Sequence, residues 1–138
     1  MRGLPSLIRL HQWKVDVQRR KVTELEILSE QLEDQVARLQ SDIDREGRTS
    51  GEDVVSSAAF SAFLKGALQR REKLRGSIGE LRQQISDAKD DLADAYRELK
   101  SYEIAQANRE RRDARKQGLR DRIKMDEVGL AMYRRRTS

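Results

Sequence analysis

The chain has no cysteine, and its 138 residues include one histidine, one proline, one tryptophan and only 4% aromatics. Without cysteine there is no disulfide framework and no thiol nucleophile, which agrees with a reducing compartment. A lone His11 cannot build a histidine cluster for zinc and has no companion base, so a solvated histidine near the start of a helix is expected. There is no Gly-rich phosphate loop, and the carboxylates are scattered among basic neighbours, so no catalytic constellation, cofactor site, metal site or small-molecule substrate is expected. Long apolar runs are also missing. The segment Leu4-Pro5-Ser6-Leu7-Ile8-Arg9-Leu10 is too short and interrupted for a signal-peptide core, and nothing approaches membrane-spanning length. A soluble, cytoplasmic protein is expected.

What is abundant is charge. Charged residues make up 38% and hydrophobic residues 36%, too little apolar material for a broad core. Regularly spaced aliphatics then point to long helices paired along a narrow seam, with disorder as the competing reading. The charge is also segregated. Residues 1–22 carry six Lys/Arg and one acid (+5), residues 23–104 twelve against eighteen (−6), and residues 105–138 eleven against five (+6). A chain folded back on itself would be a rod with a basic pole and an acidic shaft, suited to entering an acidic or ring-shaped partner.

Periodicity decides for helices. Phe60, Leu64, Ala67, Arg71, Leu74, Ile78, Leu81, Ile85, Ala88, Leu92, Ala95, Leu99 and Tyr102 follow one another at alternating spacings of four and three, with Arg71 the only break. This is a coiled-coil seam. In the first half, Leu25, Leu28, Leu32, Val36, Leu39 and Ile43 read as an eleven-residue rhythm, which relaxes left-handed supercoiling. Between them, residues 45–53 hold two glycines and no apolar spacing, and form the turn. Ser50 with Asp53 resembles a capping box, and Ser56 and Ser57 are alternative caps.

The expected architecture is a single all-α domain over 1–138, a long antiparallel two-helix coiled-coil hairpin. Helix 1 spans about 4–46, the turn about 47–57, and helix 2 about 58–134. A turn centred near Asp53 pairs Leu74 with Leu32, Ile78 with Leu28, Leu81 with Leu25, Ala88 with Val17, Leu92 with Trp13 and Ala95 with Leu10. Small Ala88 and Ala95 against larger residues gives the size alternation that knobs-into-holes packing needs. Tyr102 would face Leu4, and there helix 1 ends while the seam of helix 2 turns polar, through Gln106, Arg109, Asp113 and Lys116. Helix 2 is therefore expected to overhang from about residue 105. Its later apolar residues Leu119, Ile123, Met125, Val128, Leu130 and Met132, beside Arg134, Arg135 and Arg136, read as partner contacts. Gly76 and Gly79 fall on the outer face of helix 2, either as a hinge or as tolerated surface glycines.

The stretch from Asn108 to Lys116 has the look of a leucine-zipper basic region, but it follows the coiled coil where such a region precedes its zipper, and acids are mixed into it. Arginines outnumber lysines twenty-one to eight, which suits bidentate pairing with carboxylates on a protein surface. A protein partner is expected, and nucleic acid is not.

Three local matches resemble the FliJ family of flagellar type III export proteins. Lys124-Met125-Asp126-Glu127 followed by Ala131-Met132 is similar to the ending of the enterobacterial member. Phe60, Leu64, Ala67 and Arg71 fall at the spacing of a family Phe, Leu, Ala, His pattern for docking to the export gate, with Arg71 in place of His. Gln35 and Leu39 match the start of a Gln, Leu, Tyr, Tyr pattern, with Asp42 and Glu46 where the tyrosines would stand. The resemblance implies a non-enzymatic central stalk and regulator of the hexameric flagellar export ATPase, similar in shape to the stalk of rotary ATPases. It also implies a link to the membrane export-gate protein and an escort role for export chaperones, at the cytoplasmic side of the inner membrane at the flagellar base. The expected ring contacts are Arg9, Lys14, Arg109, Arg112, Arg115, Leu119, Ile123, Lys124, Met125, Arg134 and Arg135. The expected gate contacts are Gln35, Leu39, Phe60, Leu64, Ala67 and Arg71. Arg2, Arg9, Lys14, Arg19, Arg20 and Lys21 would form a collar beside the overhang. A generic coiled-coil adaptor, the related stalk of a virulence secretion system, or an intermolecular coiled-coil dimer is the alternative, and a nucleic-acid-binding coiled-coil protein is a more distant one.

Overall fold

A computed structural model describes residues 3–51 and 54–137. They form two helices, α1 (Leu4–Thr49) and α2 (Val54–Thr137), and there is no strand among the described residues. The fold is the expected all-α, two-helix hairpin, with both helices longer and the turn tighter than the sequence suggests. At the start of α1 the Leu7 N–H donates to the Gly3 carbonyl at 2.9 Å, and Pro5 sits in the first turn, where a missing N–H breaks no helical bond.

Gly47 lies inside α1 and not in the turn. A Cβ there would meet the Phe60 ring at 3.4 Å, an ordinary van der Waals contact, so that ring lies against the helix at this position. The Thr49 hydroxyl donates to the Glu46 carbonyl (3.1 Å) and the Ser50 hydroxyl to the Gly47 carbonyl (3.3 Å), which satisfies carbonyls left open at the helix end. Ser50 thus closes α1 in place of opening α2. Asp53, its expected capping partner, lies outside the described residues.

The chain divides into two compact units, each built from parts of both helices: Lys14–Ala95, and Met1–Trp13 with Tyr96–Ser138. In the Lys14–Ala95 unit the α2 seam is the one the heptads predict. Ala67, Ile78, Leu81 and Ala88 are buried, and Phe60, Leu64, Arg71, Leu74, Ile85, Leu92 and Ala95 are half-buried. The α1 side differs from expectation. Val15, Gln18, Val22, Leu25, Ser29, Leu32, Val36, Leu39 and Ile43 face inward at spacings of three and four, an unbroken heptad, while Val17 and Leu28 are exposed. The eleven-residue rhythm is an artefact of counting Leu28 in and Ser29 out. Polar Gln18 and Ser29 hold seam positions that a hydrophobic count passes over.

The pairing register also shifts by more than a helical turn. Arg71 Nη1 donates to Gln40 Oε1 at 2.7 Å, where the expected register would set it opposite Gln35. Arg82 reaches Glu33 (3.5 Å) instead of Glu24, and Lys89 reaches Glu26 (3.6 Å) instead of Val17. These rising and falling numbers confirm the antiparallel sense. The register slips because the connection is asymmetric: Val54 to Ala59 form exposed first turns of α2, and the first inward residue is Phe60. The centre of a turn sets the register only when both helices pair from their ends.

In the other unit, Leu4, Ile8 and His11 of α1 are buried, as is Leu99 of α2, with Tyr102, Gln106 and Ala107 half-buried. His11, expected in solvent, stacks on Tyr102 at 4.6 Å between ring centroids, and its Nδ1 lies 3.4 Å from the Glu98 carboxylate. Trp13 and Leu10, expected in the seam, are exposed, Trp13 by 62%. From Asn108 to Thr137 every residue of α2 is exposed. This is the expected overhang, beginning a few residues later than predicted.

Gly76 and Gly79 are exposed within continuous helix, and a Cβ at either would meet nothing within 4 Å. The double variant Gly76→Ala/Gly79→Ala is therefore expected to stabilise the protein by about 1–2 kcal/mol, from the helix-propensity difference alone. Thermal unfolding followed by circular dichroism checks this. An unchanged or lowered midpoint would mean that flexibility at these positions is part of the folded state.

Candidate partner-binding surfaces

The sequence-predicted gate residues lie in the Lys14–Ala95 unit, and most are turned inward. Ala67 is buried, and Leu39, Phe60, Leu64 and Arg71 are half-buried in the seam; only Gln35 is exposed. Their first physical role is to hold the two helices together: Phe60 packs over Gly47, and Arg71 bonds Gln40. The residues that do reach solvent here were missed by periodicity, because they fall off the seam. Val54 is 84% exposed, Val55 and Phe63 are exposed as well, and a cleft of about 420 Å³ runs past Phe63, Phe60, Ala59, Thr49 and Ser50. The available signal was Val54-Val55 directly after the glycine-containing turn, an apolar pair with no place in the heptad.

The predicted ring contacts in α2 all lie on the exposed stretch of the second unit: Arg109, Arg112, Arg115, Leu119, Ile123, Lys124, Met125, Arg134 and Arg135. Arg9 is exposed in the same unit, and Lys14, Arg19, Arg20 and Lys21 are exposed in the other; Arg2 lies outside the described residues. Where α1 begins, a cleft of about 440 Å³ has Leu4, Leu7, Tyr102 and Ala105 as an apolar floor and Arg109, Arg112, Lys116 and Asp113 as its rim. It opens because the α1 side of the seam stops at Leu4 while α2 continues. An apolar floor with a mostly cationic rim suits an apolar side chain flanked by carboxylates.

Further along α2, helical geometry sorts the apolar residues that the sequence left without a pattern. At about 100° per residue, Leu119, Ile123, Leu130 and Tyr133 share one face, and Met125, Val128 and Met132 share the opposite one. All seven are exposed. Arg134, Arg135 and Arg136 occupy the last turn, where positive charge complements the helix dipole, and the Thr137 hydroxyl donates back to the Tyr133 carbonyl at 3.2 Å.

No group of residues able to hold a metal ion occurs among the described residues, and none of their helices is long and apolar enough to cross a membrane. The exposed surfaces carry apolar stripes on helices, edged by charge. Comparison with known proteins agrees with the architecture. The family model of the flagellar FliJ protein matches residues 1–138, the whole length, while neither curated proteins nor solved structures produced a match. The chain belongs to the FliJ family and is a component of the flagellar protein-export apparatus.

Proposed function

We propose that this chain is a non-enzymatic central stalk and regulator of the hexameric export ATPase, linking that ring to the membrane export gate and escorting export chaperones. The observation that carries the reading is the C-terminal stretch of α2, 30 residues of helix from 108 to 137 with every residue exposed, basic, and apolar on two opposite faces. An isolated helix of this kind gains nothing from its apolar residues in water. Enclosure by a ring covers both faces at once, and basic side chains find carboxylates on the channel wall. The gate-facing region would be the end of the Lys14–Ala95 unit around the turn. There the exposed Val54, Val55 and Phe63 supply contact area, while Phe60, Leu64, Ala67 and Arg71 set the shape beneath them. Association with the membrane would be peripheral, through the gate protein.

The test is ATP hydrolysis by the cognate hexameric ATPase, titrated with this protein. Stimulation is expected, and the triple reversal Arg134→Glu/Arg135→Glu/Arg136→Glu should lower it about tenfold or more at low salt, with the gap closing as ionic strength rises. An ATPase indifferent to the wild-type chain would refute the stalk reading. Salt-independent stimulation would remove its electrostatic part.

A further inference from the structure

We infer that the exposed face of α2 from Leu119 to Tyr133 is one half of an intermolecular coiled coil, built to receive a partner helix with acidic flanks. The inference rests on the reading of this segment as a partner-binding surface, and adds the chemistry of the partner. Leu119, Ile123, Asp126, Leu130 and Tyr133 follow one another at spacings of four, three, four and three, which is a two-heptad seam with one polar position. The four apolar members are each about half exposed or more, so the stripe is preformed and uncovered. It has its own beginning. One heptad earlier the equivalent positions are Arg112 and Lys116, so a partner helix seats from Leu119 onward.

The flanks identify the occupant. On one side lie Arg120, Glu127 and Arg134, on the other Arg122, Gly129 and Arg136, so four of six flanking positions are arginine. These are the positions that select a coiled-coil partner through charge. A second copy of this chain fits poorly. In a parallel pair Asp126 would oppose Asp126 and Arg115 would oppose Arg120, against one favourable pairing of Arg122 with Glu127; in an antiparallel pair matched end to end, Arg120 would face Arg134, Arg122 would face Arg136 and Glu127 would face Glu127. The complementary helix has aliphatic seam positions, Glu or Asp beside them, and one cationic residue across from Asp126. Asp126 then acts as a register marker, since its carboxylate is compensated in only one alignment.

The test uses the full-length protein and a synthetic four-heptad helix with leucine at both seam positions, glutamate on both flanks and one lysine placed to meet Asp126. Binding is followed by fluorescence anisotropy, and helicity by circular dichroism. The peptide should bind at least about tenfold more tightly than a version with lysine flanks, and than one keeping the glutamates with serine along the seam. Ile123→Asp/Leu130→Asp, which leaves every arginine in place, should lose at least about tenfold. Moving the peptide's lysine by one heptad should weaken binding to wild type but not to Asp126→Ala. Equal binding of the serine-seam peptide, or by the double aspartate variant, would reduce the surface to generic charge attraction and overturn the proposal. A stable homodimer at micromolar concentration in sedimentation would overturn it in favour of a second copy. The same variants measured for ATPase stimulation separate the two readings. Peptide binding lost with stimulation intact would refute the ring contact at this face and leave the coiled coil standing.

Discussion

Val15→Asp is expected to unfold the Lys14–Ala95 unit at ambient temperature, whereas Val17→Asp, two residues away, leaves it folded. Val15 is 3% exposed and lies in the seam; Val17 is 39% exposed and points outward. A carboxylate at Val15 would be buried in an apolar seam position, at a cost of about 3 kcal/mol or more on top of the lost aliphatic contact. A two-helix seam has no second layer to absorb that loss, and marginal stability makes it decisive. At Val17 the same carboxylate stays in water, and the expected change is within about 1 kcal/mol. Urea or thermal denaturation of the two variants measures the contrast. Equal destabilisation would mean that α1 turns a different face to α2, and the reverse order would restore the register in which Val17 opposes Ala88.

Removing residues 119–138 is expected to abolish stimulation of the export ATPase while leaving the thermal midpoint of the remaining chain within a degree or two. No described side chain in that stretch is buried, so its deletion uncovers nothing and breaks no packing. What it removes is the two opposed apolar faces, which gain free energy only against a partner, together with the terminal arginines. Stability and activity should therefore separate completely. An intact midpoint with intact stimulation would place the ATPase contact elsewhere on the chain, with the cleft floored by Leu4, Leu7, Tyr102 and Ala105 as the next surface to alter. A lowered midpoint would mean that the C-terminal stretch folds back onto the shared part of the unit.

The candidate surfaces were legible to different degrees. The exposed stretch of α2 could be read from sequence because the seam turns polar where helix 1 runs out. Its two apolar faces became clear only once one uninterrupted helix reached Thr137. The apolar residues around the turn stayed hidden because Val54, Val55 and Phe63 obey no period. The motif residues Phe60, Leu64 and Ala67 were seam positions by periodicity and gate contacts by family resemblance, and the structure gives them the packing roles.

Sequence alone determined that this chain forms two long antiparallel helices, and which face of α2 turns inward, because thirteen seam positions with a single charged break leave α2 no competing stripe. It indicated too that helix 1 ends before the apolar residues of the C-terminal stretch, which are exposed in the structure. The face of α1 and the register were decided only in the tertiary structure. Leu10, Trp13 and Val17 look as apolar as the true seam, and the true seam includes His11, Gln18 and Ser29. The physical reason is that a two-helix contact is narrow and borders water on both sides, so polar residues are tolerated within it. His11 finds Tyr102 and Glu98, and a hydrophobic count cannot see that complementarity.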